Sequence, residues 1–379
     1  MLRATLSKPI LSISELPMPT DLSLRRARAA MQSFFVGDAL SMQVHWFYNP
    51  LDIQRAFPGG VQQMHDAPEH HPSSIMSLHS TNAGGRGKQG SAESHQIVGD
   101  VILKGKRRYW GIANQHYHQG MPAGENTLNA WCARELMRGL TSRQKYDGEK
   151  SLQDYIDFMT ADPCCHPDTY AESYHRGFFA NLTDGAKPDQ CGAVTHDTPS
   201  IGGLVTIVPL AIFSLLKESS LTSAQAICQQ HLHYTHPDPQ LAKVCDALVK
   251  LINDLLNRSE NEDAMPFLNE AAKCIPKTRL ETLLRAPSDL HVIGRLYSSA
   301  CYITDSWPSM LYLAAKYHHD VKTALIANTN VGGENAHRGA VLGSIVGLIT
   351  GTTSEALYGQ LLNKNAITDE IGQLLTARH

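Results

Sequence analysis

The chain has 379 residues, of which 42% are hydrophobic and 18% charged, a composition that supports a substantial core and excludes a disordered chain. Its formal net charge is −3 and its most basic run, "KGKRRYW" (104–110), reads as a solvated face, so no nucleic-acid partner is expected. The longest apolar run, 339–350, falls short of the roughly twenty residues that cross a bilayer, so no membrane partner is expected either.

Residues 1–20 read as an N-terminal extension and 21–379 as a single domain. The extension lacks an apolar h-region and a small-residue cleavage site. The eight cysteines form no CxxC pair and read as reduced thiols, which points to a cytoplasmic protein, with an organelle transit peptide left open. The first element is a helix over 21–40, where Leu24, Ala27, Met31, Phe34 and Phe35 recur at helical spacing. The segment 49–124, rich in Gly, Pro, His and Ser, reads as a long surface loop, with one hairpin at 95–112. A helix over 127–140 follows, then a second long loop over 160–200. Helical periodicity returns at 203–217, 223–232, 239–256, 278–286, 307–316 and 320–327. The last strong pattern is "NVGGENAHRGAVLGSIVGLITG" (330–351), with glycines at 339, 343, 347 and 351 along one face that let another helix come close. The pattern predicts an all-α domain with elaborated loops.

Gly-Glu-Asn occurs twice, at 124–126 and 333–335, each time before an apolar helix. Either pair reads by itself as a helix cap, since free N–H groups and the helix dipole favour a carboxylate there. Two such starts that converge would offer Glu125, Asn126, Glu334 and Asn335 to one hard cation such as Mg²⁺. Among the nineteen histidines, "HLHYTH" (231–236) suggests a metal motif, but His231 and His233 face different ways on a helix. His118, in "HYHQG", stands close before the first Gly-Glu-Asn and is a candidate pocket residue. "THDTPSIGG" (195–203) holds His196, Asp197 and Ser200, yet adjacency in sequence does not make a catalytic triad. Ser200, Gly202 and Gly203 read better as substrate contacts, the glycines allowing close approach of a phosphate or ribose. Gly333 and Arg338 join them as candidate contacts in the last motif.

Five segments in order resemble the ADP-ribosylglycohydrolases, a family that includes the dinitrogenase-reductase-activating glycohydrolases and the J1 crystallins. They are "FFVGDALSMQVHW" (34–46), "AGENTLNAWCARELM" (123–137), "SIGGLVTIVPLAIF" (200–213), "YTHPDPQLAKVCDALVKLI" (234–252) and the 330–351 segment. The resemblance implies a compact orthogonal helical bundle with its site at helix N-termini, two Mg²⁺ ions, and ADP-ribosylated proteins or small molecules as substrates. The family's metal-binding Thr-Asp-Asp falls on Gly124, Glu125 and Asn126, and its closing Asp, Asp and Thr fall on Glu334, Ala336 and His337. The glutamate of the opening segment falls on His45, and a histidine that lies near the ligand in relatives falls on His236. Four carboxylates have become two, so one Mg²⁺ or none is expected where relatives hold two.

The resemblance implies hydrolysis of a glycosidic bond to ribose in an ADP-ribosyl or related substrate, with Glu125, Glu334, His45 and His337 as catalytic candidates. Three schemes stand open: one cation held by Glu125, Glu334 and the asparagine oxygens; no metal, with a glutamate as base and a histidine as acid; or Zn²⁺ on His45, His337 and a carboxylate. An inactive ligand-binding or structural relative, and a glycosidase or nucleosidase of another substrate, are the alternatives.

Overall fold

The first helix starts at Thr20, whose hydroxyl accepts from Ser23 N–H at 3.1 Å while the Ser23 hydroxyl accepts from Thr20 N–H at 2.8 Å. This capping box satisfies two orphan donors and begins α1 (Asp21–Met42). The computed structural model describes residues 20–76, 96–217 and 220–376, so nearly all of the expected N-terminal extension lies outside it. After α1 come α2 (Pro50–Ala56), α3 (Leu128–Arg143), α4 (Gly148–Thr160), α5 (Ser173–Thr183) and α6 (Ile207–Lys217). Next are α7 (Leu221–Thr235), α8 (Pro239–Asn257), α9 (Met265–Ala272), α10 (Leu280–Leu283), α11 (Asp289–Val292) and α12 (Ile303–Lys316). The chain ends with α13 (Val321–Val331), α14 (Asn335–Thr350), α15 (Glu355–Tyr358) and α16 (Lys364–Thr376).

The organising contact is between α1 and α14. Every residue of α14 from Asn335 to Ile349 is buried, as expected of a helix apolar on all sides and placed centrally. The two helices run antiparallel along the glycine face: a Cβ on Gly339 would stand 2.6 Å from Gly37 O, one on Gly343 2.2 Å from Ser33 O, and one on Gly347 2.7 Å from Ala29 O. Those partners are backbone atoms, which cannot swing aside, so the seam exists because the side chains are missing. Around it lie α8, α12 and α13, with α16 against α1 and α3. Helix α8 shows the usual logic: Asp238 caps it through Gln240 and Leu241 N–H, Pro239 sits at its first turn, and Leu241, Val244, Cys245, Leu248 and Ile252 face inward.

Three expectations need correction. The hairpin over 95–112 does not form: Ile97–Val101 closes into one tight turn, with Gly99 at φ 98° and Ile102 N–H on Ile97 O at 3.0 Å. Its apolar residues Ile97, Val98, Ile102 and Leu103 are buried in a second, aromatic cluster with Trp46, Tyr117 and Tyr170, and among the described residues there are isolated bridges but no sheet. The loop over 160–200 contains α5, and the helix expected over 278–286 shrinks to the four residues of α10. All eight cysteines are unpaired. No described helix is long and apolar enough to cross a membrane.

Candidate active site

The α1–α14 seam sets the C-terminal end of one helix beside the N-terminal end of the other. The turn after α1 is braced by histidines: His116 Nε2 stands 3.1 Å from Gln43 O and His71 Nε2 2.8 Å from His45 O. Trp46 then adopts φ 63°, a conformation that is strained for a bulky residue and persists only where the surroundings impose it. Here they do, because Trp46 N–H donates to Gly333 O and Gly333 N–H to Phe47 O, both at 2.8 Å. Gly333 has φ 67°, and a Cβ there would meet Ser299 O at 2.1 Å, so this candidate contact serves the turn and lines no described pocket.

The interlock places Glu334, fully buried, at the start of α14. Its Oε2 accepts from Trp46 Nε1–H at 2.8 Å. Its Oε1 stands 2.8 Å from His45 Nε2 and 2.9 Å from His337 Nδ1, the latter without the alignment of a hydrogen bond. Behind His45 runs a relay: His45 Nδ1 is 2.8 Å from His118 Nε2, and His118 Nδ1 is 2.8 Å from Asp168 Oδ1. Burial pulls His45 down to about 3 despite Glu334. Burial also opposes charge on His337, but the carboxylates of Glu334 and Glu172 outweigh it and hold the ring at about 10. Glu334 is held well below the usual carboxylate range because His337 and His45 overcome its burial.

Glu125 does not join this group, which corrects the expected pairing of the two glutamates. Its carboxylate accepts from Asn126 N–H at 2.9 Å, Trp131 Nε1–H at 3.1 Å and Asn363 Nδ2 at 3.1 and 3.2 Å, in front of α16. Asn126 donates to Asp38 Oδ2 at 2.8 Å and Phe35 O at 2.9 Å, and Thr127 gives Asp38 both its hydroxyl, at 2.6 Å, and its N–H, at 2.8 Å. Asn335 donates to Thr329 O at 3.0 Å and Val44 O at 3.3 Å. Both asparagines keep a buried amide oxygen without a partner. Arg338 is not a phosphate contact: buried, it donates to Asn328 Oδ1 at 2.7 Å and Gly332 O at 2.9 Å and ties the end of α13 to α14.

The carboxylate common to two neighbouring hollows is Glu172, just before α5. It lines both the small cavity beside His45, His118 and His337 and a larger pocket of about 830 Å³ including its mouth. Its Oε2 accepts from Asn129 Nδ2 at 2.7 Å and stands 3.7 Å from His337 Nδ1. Burial pushes this carboxyl up to about 7, against the pull of His337. Gly202 makes room for it, since a Cβ there would come within 2.6 Å of Glu172 Oε2. Among the described residues the pocket presents aromatic faces from Trp46, Tyr117 and Tyr170, the Ser200 side, Asp197 and one cation, Arg176, whose guanidinium lies 5.2 Å from the Trp110 ring centre. Gly203 and His236 turn to a different, apolar hollow between α3, α4 and α7: a Cβ on Gly203 would touch His236 Cγ at 2.9 Å, and His236 Nδ1 is 2.8 Å from Thr235 Oγ1.

The ADP-ribosylglycohydrolase family model matches residues 18–378. The chain belongs to the ADP-ribosylglycohydrolase family. A solved structure titled "ADP-ribosylglycohydrolase-related protein complex" is similar to it with a TM-score of 0.58 at 14% identity, over 94% of this chain and 99% of that one, a likeness of fold. No curated protein matches the sequence. ADP-ribosylglycohydrolases are glycosidase-type, metal-dependent hydrolases, and two Mg²⁺ ions ask for an oxygen-rich, carboxylate-rich cage. Among the described residues the two glutamates do not fit such a cage: Glu334 stands between the imidazoles of His45 and His337, and Glu125 is turned to Trp131 and Asn363.

Sequence reasoning missed Glu172, Asp168, Asp38 and Trp46. Asp38 lay inside the quoted "VGDAL", and a strained Trp46 leaves no sequence signature. Asp168 and Glu172 sit four apart in "DTYAESY" (168–174) and alternate with Tyr170 and Tyr174, an acid-aromatic alternation that a loop reading passes over.

Proposed function

We propose that this ADP-ribosylglycohydrolase hydrolyses the glycosidic bond to ribose in an ADP-ribosyl-type substrate, with Glu172 as the group that handles the proton. The observation that carries the reading is position: Glu172 is the carboxylate shared by the aromatic pocket and the buried charge cluster. The aromatic faces of Trp46, Tyr117 and Tyr170 suit a nucleobase or ribose, and Arg176 suits a phosphate. With C1 of the ribose over Glu172, a water oxygen attacks C1 as its proton passes to the carboxylate. The C1–leaving-group bond breaks with its electron pair on the departing nitrogen or oxygen, which takes a proton back from Glu172. Positive charge that develops on the ribose ring meets the negative field of Glu172 and Glu334.

The test is release of free ADP-ribose from ADP-ribosyl-arginine, ADP-ribosyl-serine, O-acetyl-ADP-ribose and α-NAD. Turnover of at least one compound is expected, and Glu172→Gln lowers its kcat by about 10²–10⁴-fold. Neither turnover nor binding across the panel would sink the reading and leave a ligand-free or structural role.

A further inference from the structure

We propose that His45, Glu334 and His337 form a site for a single divalent cation of the imidazole-binding class, Zn²⁺ first, in place of the family's Mg²⁺ pair. The inference deepens the proposed function, since it concerns the same pocket, but it stands on its own observations. Glu334 Oε1 lies 2.8 Å from His45 Nε2 and 2.9 Å from His337 Nδ1, one ligand atom from each of the three residues lies within 4.8 Å of the others, and all three side chains are buried. Two imidazoles and one carboxylate are a donor set that Zn²⁺ takes at catalytic centres, where the fourth position stays open. Mg²⁺ and Ca²⁺ prefer oxygen throughout.

Hydrogen counting points the same way. Asp168 accepts from Leu128 N–H at 2.7 Å and Tyr170 N–H at 3.1 Å, so it is an acceptor towards His118, and His118 Nδ1 is the donor. From Asp168 to Glu334 there are three contacts and two imidazoles. Two neutral rings bring two N–H groups, so one contact lacks a hydrogen. Filled from the Asp168 side, the gap falls between His45 Nε2 and Glu334 Oε1, where two lone pairs face each other at 2.8 Å. A proton could bridge that pair; a metal ion would also engage His337 Nδ1, which reaches the same oxygen at 2.9 Å without hydrogen-bond alignment and would give up its own proton on binding. A metal ion bridges all three atoms.

The surroundings are those of a metal site. Bonds of about 2.0–2.1 Å in a tetrahedral array hold ligand atoms roughly 3.3–3.4 Å apart, so the two contacts of Glu334 Oε1 have to open by about half an ångström. The His118–Asp168 relay fixes the tautomer that leaves the His45 Nε2 lone pair free, and Trp46 Nε1–H holds the other oxygen of Glu334, the outer-shell support that metal ligands usually have. The fourth position would face the cavity that Glu172 and His337 line, which shares Trp46, Tyr170 and Glu172 with the larger pocket.

The experiment uses the full-length protein, stripped with chelator and titrated with Zn²⁺, then with Co²⁺. Elemental analysis after gel filtration is expected to give one Zn²⁺ per chain that a hundredfold excess of Mg²⁺ does not displace. Co²⁺ is expected to give visible absorption bands of a four- or five-coordinate ion. His337→Gln and Glu334→Gln are each expected to weaken Zn²⁺ binding at least a hundredfold, with circular dichroism as the check on folding. Should those variants not fold, the Co²⁺ spectrum of the native protein decides. Absence of stoichiometric Zn²⁺, displacement by Mg²⁺, or an octahedral Co²⁺ spectrum overturns the proposal. Turnover of the ADP-ribosyl panel by metal-free protein overturns it too and keeps the proposed function, whereas tightly bound Zn²⁺ without turnover does the reverse.

Discussion

At the scale of single residues, the site depends on how buried charges are shared. Burial alone would raise Asp168, but His118 and the Leu128 N–H outweigh it and hold the carboxyl at about 2. A folded value below the unfolded one, about 3.9, means stabilisation that is complete above the unfolded value and lost as pH falls through the folded one. Asp168→Asn is therefore expected to cost on the order of 2 kcal/mol at neutral pH. The cost should shrink as pH falls from about 4 towards 2, and chemical denaturation at a series of pH values checks it. Glu125 behaves differently. Glu125→Gln keeps the shape but weakens the contacts to Trp131 and Asn363, so it is expected to lower stability by roughly 1–2 kcal/mol and to leave Zn²⁺ content unchanged, whereas Glu334→Gln removes the metal. Elemental analysis of the two variants side by side separates the two glutamates that the sequence presents as equals.

At the scale of elements, the seam between α1 and α14 carries the site, because His45 follows one helix and Glu334 and His337 open the other. Gly343→Ala places a Cβ 2.2 Å from Ser33 O, and the two backbones must separate. The expected cost is about 1–3 kcal/mol, as for an overpacked core, with loss of metal affinity alongside it. Gly372→Ala, where a Cβ meets nothing, is the control in α16 and is expected to be neutral or stabilising. Thermal melts and Zn²⁺ titrations of both variants test the link. This seam was legible in the sequence, since glycines every four residues in an apolar run leave few other uses, and so were the long amphipathic helices such as α8. The first half of the candidate site was less so. A helix-start glutamate can aim its carboxylate into a cleft or back towards its own helix, and Glu125 does the latter because Trp131, six residues on, and Asn363, at the far end of the chain, draw it there. Glu172 escaped because its neighbours Asn129 and Gly202 come from other segments, a coincidence of tertiary structure with no local period. The hairpin failed for a related reason: alternating apolar residues do not pair when a nearby aromatic cluster buries them singly.

At the scale of the whole molecule, a metal on the seam would act as a staple. A ligand that binds only the folded chain stabilises it by about 2.7 kcal/mol at a hundred times its dissociation constant. Chelator-treated protein is expected to melt at least a few degrees lower than Zn²⁺-loaded protein, and His337→Gln to show no such difference; differential scanning calorimetry at fixed protein concentration reads both. The C-terminal helix closes the structure in another way. Glu370 of α16 takes a two-point contact from Arg134, at 2.8 and 3.1 Å, and another from Arg138, while Asn363 covers Glu125. Removal of residues 363–379 is expected to strip Arg134 of its carboxylate partner and Glu125 of the Asn363 amide, at a cost of several kcal/mol, and limited proteolysis of the shortened chain checks the loosening.

The glycine seam also dictates an order of events in synthesis. Helix α1 leaves the ribosome well before α14, yet the face carrying Ala29, Ser33 and Gly37 has its partner there, some three hundred residues later. Contacts so distant in sequence are slow to form and are made late. Until α14 emerges, α1 carries an uncovered face with no local partner, and His45 has neither Glu334 nor His337. The site therefore cannot assemble on an unfinished chain, and its three side chains come together only once α14 has docked on α1.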